Sequence, residues 1–454
     1  MKKTVSVIGL GKLGSPLAAC IAASGFRVIG VDTDPRKVDA LNHGRAPVFE
    51  PELAATIQAC GDRISAVQDI ESAVAASDIT FIVVATPSEP DGSFSLRFVL
   101  AACEAVGRGL RSKPSRHLVV LTSTVMPGST GGRVRETLER ISCKQMGRDF
   151  GLCYNPEFIA LGSVIRDLRH PDFLLIGESD PESGDVLEAM YRELCENRPV
   201  AARMNFMNAE IAKLSVNAFV TTKISFANML ARVCEGLPEA DVDIVTGALA
   251  LDARIGGKYL KGAVGYGGPC FPRDNRALVA LAQQVGSPGD IAHVTDKFNR
   301  AQVSWLADLA ERSAPPGGNV GILGLTYKPN TDVVDQAIGL LLAEELAGRG
   351  VSVIAYDPSG IRNVFPCVEG AARFAESAVA CIREADVIVV ATPWDAFTQI
   401  PAERWARTSQ PRVVIDCWRT LGFLQQCAGI AYLPLGRGKL ESEGHRKPVY
   451  QNVR

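Results

Sequence analysis

Val5-Ser6-Val7-Ile8-Gly9-Leu10-Gly11-Lys12-Leu13-Gly14 is the stretch that decides the fold. A short apolar strand runs into three glycines spaced G-x-G-x-x-G, and a helical pattern begins at the third. In such a strand–turn–helix the first glycine permits a tight turn. The second lets backbone approach a phosphate, and the third allows close helix–strand packing. The helix that follows offers unpaired N–H groups and the positive end of its dipole to an anion.

A glycine motif alone is a weak signal, and a turn without a ligand is the competing interpretation. Here Asp32 stands eighteen residues beyond Gly14, at the end of the second apolar run, Val28–Val31. An acid at that place accepts the hydroxyls of an adenosine ribose and repels a 2′-phosphate, so NAD is expected rather than NADP. Arg36 argues the other way, although an arginine early in a helix is more often solvated. Gly9, Gly11, Lys12, Leu13, Gly14 and Asp32 are therefore the first cofactor candidates.

Working outward, Thr80–Val84, Leu118–Leu121 and Phe173–Ile176 are further apolar runs of strand length separated by helical patterns. Continuous apolar strands alternating with helices imply a parallel sheet covered on both faces. The last third repeats the order: Asn319–Leu323 before Gly324, Val351–Tyr356 before Asp357, and Ala385–Val390 before Ala391-Thr392-Pro393. The counterparts are Gly9, Asp32 and Ala85-Thr86-Pro87, at different spacings. The expected fold class is α/β, with two Rossmann-like, doubly wound parallel-sheet domains joined by a long central helix. Residues 207–234 contain no Pro or Gly and keep a helical period, which marks that helix. The expected divisions are 1–200, a central helical segment 201–310, a second Rossmann-like domain 311–440, and a polar, mobile tail 441–454.

Gly265-Tyr266-Gly267-Gly268-Pro269-Cys270-Phe271-Pro272-Arg273-Asp274 is the most informative stretch for chemistry. Glycines let the loop fold closely around something, and Pro272 suits the first turn of a helix. Cys270 beside a helix N-terminus, with Arg273 near, is a thiol disposed to ionise and attack. On the long helix Glu210, Lys213, Asn217 and Thr221 form a polar stripe at spacings of three and four. Such a stripe reads equally as a solvated face or as oxyanion-stabilising groups in a cleft.

Taken together these residues resemble the UDP-glucose/GDP-mannose dehydrogenase family across almost the whole chain. The matching landmarks are the glycine motif, Phe49-Glu50-Pro51, Ser123-Thr124-Val125, Asn155-Pro156-Glu157-Phe158, Lys213 with Asn217, Arg254-Ile255-Gly256, the Cys270 loop and Lys328-Pro329-Asn330-Thr331-Asp332. The resemblance implies a four-electron oxidation of a nucleotide sugar's primary alcohol to a carboxylate with two NAD. It makes Cys270 the nucleophile, Lys213 and Asn217 the stabilisers of oxygen charge, and Asp274 a positioner of Lys213 or water. It assigns Thr124 and Glu157 to a water, with Glu157 the base for thioester hydrolysis. Thr86, Pro87 and Thr124 join the cofactor set, and Phe158, Arg254, Tyr259, Lys261, Gly267 and Lys328 line the nucleotide-sugar side. It also implies a homodimer or higher homo-oligomer in which Arg254 reaches the neighbouring subunit. UDP-glucose is the default substrate; GDP-mannose or a UDP-N-acetylhexosamine is the runner-up.

The chain departs from the family pattern at Pro269 and Arg273, where serine and lysine are usual, and at Leu161. Asp335-Gln336 replaces an Arg-Glu pair, and Arg419 stands one position late in Asp416-Cys417-Trp418-Arg419. These changes surround the reacting groups without removing them.

Bulk properties set the outer bounds. At 454 residues, two or three domains are expected, since single cores stop growing at about 250–300 residues. A net charge of −2 without a basic run recommends neither nucleic acid nor an anionic membrane as partner. Twelve scattered cysteines form no CxxC pair and read as reduced, mostly buried thiols of a cytoplasmic protein, with disulfides or zinc the minority interpretation. No metal site is expected. Lys2-Lys3 and Leu17-Ala18-Ala19-Cys20 imitate a lipoprotein signal, but cleavage there would delete the first strand and its glycines. Two other functions are open to the same residues: a two-electron hydroxyacid-type dehydrogenase, which has no use for Cys270, and a silent nucleotide-sugar sensor.

Overall fold

A computed structural model describes residues 2–364, 372–408 and 410–438, so the expected tail 441–454 lies outside the described residues. The described residues fall into two compact units, Met1–Val216 with Arg276–Gly289 and Asn217–Asn275 with Asp290–Arg454. Residues 201–310 thus contribute to both.

The first unit holds eight strands: β1 Thr4–Ile8, β2 Arg27–Val31, β3 Ile64–Val67, β4 Ile79–Ile82, β5 His117–Leu121, β6 Phe150–Tyr154, β7 Phe173–Glu178 and β8 Val200–Met204. The second holds six: β9 Asn319–Leu323, β10 Ser352–Tyr356, β11 Arg373–Phe374, β12 Val387–Val390, β13 Arg412–Asp416 and β14 Ile430–Pro434. Their orders are β3-β2-β1-β4-β5-β6-β7-β8 and β11-β10-β9-β12-β13-β14. The first six strands of one sheet and all six of the other follow the same 3-2-1-4-5-6 order of dinucleotide-binding sheets. Two α/β domains of this kind were expected, and both are found. The central strands are apolar along their length because helices cover both faces.

One strand differs from expectation. β7 meets β6 antiparallel, through Cys153↔Glu178 and Tyr154↔Gly177, whereas every other neighbour in either sheet is parallel. An apolar run reports that both faces of a strand are covered, and coverage is the same whichever way the strand points.

The two domains share their turns as well as their order. Gly9 N–H donates to Val31 O at 2.7 Å, and Gly324 N–H donates to Tyr356 O at 2.8 Å. Both glycines have φ near +98°, which a side chain rarely tolerates. A Cβ on Gly14 would stand 1.8 Å from Gly9 O, and one on Gly339 would stand 1.9 Å from Gly324 O. Four residues separate the glycines in one domain and fourteen in the other, yet the helix starts against the strand in the same way. The longer gap holds the Lys328 segment.

The long helix spans Phe206–Glu235, against the 207–234 expected. Its amphipathy is inverted. Glu210 (0%), Lys213 (6%), Asn217 (9%) and Thr221 (0%) are buried, and Ser225 and Asn228 continue the same row inward. Phe219 is 67% exposed, and Phe226, Met229 and Val233 are exposed with it. Buried polar groups need partners. Glu210 accepts Gly128 N–H at 2.6 Å and Thr130 N–H at 2.8 Å. Asn228 accepts Ala263 N–H at 2.7 Å and donates to Val264 O at 2.8 Å.

Across β1, β4 and β5 a buried polar row links Ser77, Ser6, Thr80 and His117 through contacts of 3.0, 2.7 and 2.8 Å. Burial pushes the His117 imidazole down to about 3, with Lys113 and Lys144 adding to the shift.

Removing the Glu210 carboxylate strands two amides that it satisfies, at about 2–3 kcal/mol for bonds to a charged group. Amide exchange at Gly128 and Thr130 is expected to speed by roughly 30- to 150-fold in Glu210→Ala. Unchanged protection there contradicts the assignment. His117 generates a second expectation. Its folded value lies below its unfolded one, so the unfolded chain binds more protons between about pH 6.5 and 3, and stability falls as pH falls through that window. Denaturant titrations at pH 7 and pH 5 should show wild type losing about 2 kcal/mol more than His117→Gln.

Candidate functional site

The turn after β1 carries the three glycines expected at a phosphate-bearing ligand. A Cβ at Gly9 would stand 2.2 Å from Val83 O, so backbone packing requires that glycine, as it does Gly14. A Cβ at Gly11 would meet no protein atom within 4 Å, so packing does not explain the second glycine. Lys12 and Leu13 complete the turn half-buried, and the ten-residue helix Gly14–Ala23 starts there. Asp32 is held at the tip of β2: its Oδ2 accepts Leu10 N–H at 2.8 Å and its Oδ1 accepts Asp34 N–H at 2.9 Å. Lys37 Nζ lies 3.1 Å from Asp32 Oδ2. Arg36 is engaged elsewhere, with Nε and Nη2 donating to Asp34 at 3.0 and 2.8 Å. The acid expected to meet a ribose thus stands directly after the second strand, and the arginine that argued for NADP is paired with a different carboxylate.

The second acid of this type, Asp357, serves another purpose. Its Oδ2 accepts from Leu325 N–H, Thr326 N–H, the Thr326 hydroxyl and Trp394 Nε1, and its Oδ1 from Ser359 and Gly360 N–H. At 2% exposure it ties its own loops together.

At the ends of β4 and β5, the buried Thr86 hydroxyl donates to Thr124 O at 2.8 Å. Pro87 beside it is exposed, and Thr124 is half-buried. This bond brings together the two threonines expected at the cofactor and the water.

Glu157 follows β6. Its residue is half-buried while its carboxyl end is enclosed, and burial pushes the carboxyl up; the Tyr191 hydroxyl and the Lys213 charge oppose that shift. Tyr191 Oη stands 2.5 Å from Glu157 Oε1 and 2.6 Å from Asn155 Oδ1. Lys213 Nζ donates to Glu157 O at 2.6 Å and sits 4.4 Å from the centre of the Phe158 ring, which packs on Phe173. Glu157, Phe158 and Lys213 therefore form one cluster. The Phe49-Glu50-Pro51 landmark supports it from below, since the Glu50 carboxylate accepts Gly162 N–H at 2.9 Å and Val164 N–H at 2.8 Å.

Cys270 is exposed and immediately precedes the fourteen-residue helix Phe271–Gln284, whose first bond runs from Asp274 N–H to Cys270 O at 2.8 Å. The residue thus stands at the N-terminal, positive end of a helix. Eight of the eleven described cysteines are buried instead, and burial pushes the thiols of Cys20, Cys103, Cys195 and Cys381 up to about 12.

The Cys270 loop is shaped by its glycines. A Cβ on Gly267 would stand 2.4 Å from Gln336 O, and one on Gly268, at φ +86°, would stand 2.8 Å from the Tyr327 ring. Gly268 N–H donates to Asp335 O at 2.8 Å. Asp335-Gln336, a departure from the family pattern, therefore meets the loop with backbone. Tyr327 brings the Lys328 segment to the same loop, with Lys328 Nζ 5.8 Å from its ring. Gly267 was expected to face substrate; its packing against Gln336 already demands a glycine.

Asp274 is 1% exposed and accepts Asn217 Nδ2 at 2.6 Å, with Arg273 Nε 3.3 Å from its other oxygen. Asn217 and Asp274 are thus paired. Beside them Asn275 Nδ2 donates to the Thr221 hydroxyl at 2.9 Å and the Tyr266 hydroxyl at 2.8 Å. Phe271 makes edge contacts with Tyr259 and Tyr266, each at 6.2 Å between ring centres. That places Tyr259, 50% exposed, next to the cysteine loop. Lys261 is exposed, and the exposed Arg254 is paired with Asp252. Arg419 is not a surface group: its side chain is 1% exposed, and its five N–H bonds go to Asp243 twice, Cys417 O, Leu435 O and Gly262 O.

Sequence reasoning missed Lys37 and Tyr191. Lys37 carried a usable signal, since it lies one helical turn into the helix that follows Asp32. Tyr191 carried none, because it reaches Glu157 from thirty-four residues away.

Models of the UDP-glucose/GDP-mannose dehydrogenase family match the chain in three pieces: the NAD binding domain over residues 3–195, the central domain over 207–301 and the UDP binding domain over 321–422. The chain is 35% identical over 421 residues to the UDP-glucose 6-dehydrogenase AglM of Haloferax volcanii, covering 91% of this chain and 96% of that one. It is 35% identical over 358 residues to the GDP-mannose 6-dehydrogenase of Pseudomonas putida, covering 78% and 80%. The solved UDP-glucose dehydrogenase of the hyperthermophilic archaeon Pyrobaculum islandicum superposes with a TM-score of 0.87 at 33% identity, over 96% of this chain and 98% of that one. With three successive domains matched in order, the chain belongs to the UDP-glucose/GDP-mannose dehydrogenase family.

Proposed function

We propose that this chain oxidises the C6 primary alcohol of UDP-glucose to the carboxylate, in two NAD-dependent steps joined by a covalent stage on Cys270. The observation that carries this reading is Cys270 itself, exposed at a helix N-terminus in a loop whose glycines are fixed by packing. NAD, bound along the Gly9–Gly14 turn, supplies the acceptor for one hydride in each oxidation. The fit of that turn rests on Gly11, where no protein atom accounts for a glycine, and on Asp32, ordered at the strand tip.

An alcohol carbon that has lost one hydride is an aldehyde, and an aldehyde is a poor hydride donor until a nucleophile makes its carbon tetrahedral. Cys270 Sγ adds to that carbon, giving a thiohemiacetal; loss of the second hydride leaves a thioester. Water then attacks the thioester, and the carboxylate leaves as the thiol is restored. Lys213 and Asn217 stabilise oxygen charge during these steps. Asp274 orients Asn217, to which it is bonded at 2.6 Å. Glu157 takes the proton of the attacking water, a task suited to a carboxyl whose burial raises its basicity, and Thr124 helps hold that water. Lys37 joins Asp32 at the ribose.

Phe158, Tyr259, Lys261 and Lys328 bind the nucleotide sugar. The UDP-glucose assignment is supported by the relative of that name, matched at 35% over 421 residues, with GDP-mannose the second choice on a relative matched at 35% over 358. A homodimer in the cytoplasm belongs to the same reading: Phe219, Phe226, Met229 and Val233 form an exposed apolar face on the long helix, and the surface arginine Arg254 is disposed to reach a neighbouring subunit.

Wild type should release two NADH per UDP-glucuronate. Cys270→Ala is expected to form no acid and to yield at most one NADH per sugar, counted by absorbance against chromatographed product. Undiminished acid production by that variant would mean a two-electron or cysteine-free route, and no NADH from any UDP- or GDP-sugar despite tight binding would mean a sensor. Glu157→Gln is expected to slow deacylation by about 10²–10⁴-fold, the usual contribution of a general base. Intact-mass spectrometry should then find the substrate acyl group on Cys270; a variant that turns over without accumulating it removes Glu157 from the hydrolysis.

A further inference from the structure

One tyrosine hydroxyl in the first unit serves two acceptors with a single proton. Tyr191 Oη stands 2.6 Å from Asn155 Oδ1 and 2.5 Å from Glu157 Oε1. The Asn155 amide is oriented by its other end, where Nδ2 donates to Leu175 O at 3.0 Å, so its oxygen must face the tyrosine. Asn155 and Tyr191 are each 1% exposed, and Glu157 is half-buried. Two oxygen–oxygen contacts this short need two protons, and tyrosine has one to give. The second comes from Glu157.

We infer that Tyr191 is the positioning residue of Glu157, and that the row Asn155–Tyr191–Glu157 is a two-state hydrogen-bond switch that sets when Glu157 can act as a base. With Glu157 protonated on Oε1, its O–H donates to Tyr191 Oη, and the Tyr191 proton goes to Asn155 Oδ1. Every group in the row is then satisfied. When Glu157 gives up its proton, the Tyr191 O–H turns to the carboxylate and Asn155 Oδ1 loses its donor. No covalent bond is made or broken apart from the carboxyl O–H, whose proton leaves to solvent or arrives from the attacking water. The inference rests on the reading of Glu157 as the hydrolytic base.

The groups facing this row do not supply the missing proton. Lys213, from the long helix, donates to the Glu157 carbonyl rather than to its carboxyl. Cys195, just past the helix Pro181–Leu194, and Cys20, on the helix Gly14–Ala23, lie within electrostatic reach, and the Arg169 charge lies near Cys20. Burial keeps both thiols protonated at neutral pH. Burial also pushes both the Glu157 carboxyl and the Tyr191 hydroxyl upward.

The two neighbours of the tyrosine should have opposite effects. Tyr191→Phe removes a charge-assisted bond from ionised Glu157 and only a neutral one from its acid, which favours the acid. Asn155→Ala removes the acceptor that competes for the tyrosine proton, which favours the carboxylate. At a fixed pH on the acid limb, decay of the Cys270 acyl-enzyme is therefore expected to slow by about tenfold in Tyr191→Phe and to speed severalfold in Asn155→Ala. Infrared titration of the isolated full-length enzyme follows the protonated carboxyl band that Glu157→Gln deletes. Its midpoint should move to higher pH in Tyr191→Phe and to lower pH in Asn155→Ala. A merely structural role gives shifts of one sign or none, and either result overturns the switch; if one variant does not fold, the sign of the other decides. A band that titrates as expected while Glu157→Gln deacylates normally leaves the switch standing and removes the base assignment instead.

Discussion

A helix that turns its polar side inward must find a partner for each group it buries, and much of this structure answers to that requirement. Glu210 gathers the amides of Gly128 and Thr130, Lys213 takes the Glu157 carbonyl, Asn217 takes Asp274, Thr221 takes Asn275, and Asn228 clamps Ala263 and Val264. Each bond costs little when made and about 1–3 kcal/mol when left unmade, so within each unit the loops that meet this helix are fixed to it. The residues proposed to stabilise oxygen charge are members of that row. Their rigidity comes from the same burial that makes them strong electrostatic partners, since a dry site weakens neither charge nor dipole.

The two sheets show how one architecture can be kept while its uses diverge. Gly9 and Gly324, Gly14 and Gly339, Asp32 and Asp357 occupy equivalent places. In the first domain the acid keeps a small set of partners and a lysine beside it, and the middle glycine has no neighbour of its own. In the second, fourteen residues separate the two glycines, and the acid is wholly consumed in tying loops. The inserted segment carries Tyr327, whose ring rests on Gly268 of the cysteine loop. The same turn thus serves an NAD binding domain in one place and leads into a segment that packs on the Cys270 loop in the other.

Much of the fold was legible because it is written in local chemistry. Strand runs, glycine spacing and the Pro-free, Gly-free stretch of the long helix depend on near neighbours, and the helix ends differ from expectation by one residue each. The direction of β7 was not legible, because apolar residues record burial and not polarity. The strands Ile64–Val67, Phe150–Tyr154, Val200–Met204, Arg373–Phe374, Arg412–Asp416 and Ile430–Pro434 were not read from the sequence, because sheet pairing over long separations rather than a local pattern stabilises them.

By itself the sequence determined which chemistry was available. A single cysteine among twelve sits in a glycine-bounded loop followed by a proline suited to a first helical turn, and its nucleophilic reading needs only those neighbours. It also determined that an acid ends the second strand and that a lysine and an asparagine share a helix face. Only the tertiary structure decided whether that face met water or protein, because a polar stripe has the same period in both cases. Only it decided that Arg419 is an internal clasp, that Arg36 is paired with Asp34, and that Tyr191 reaches Glu157. These are contacts between residues far apart in the chain or between groups whose partners are interchangeable on paper. Hydrogen bonds of that kind are chosen by distance and burial, which no local pattern of residues records.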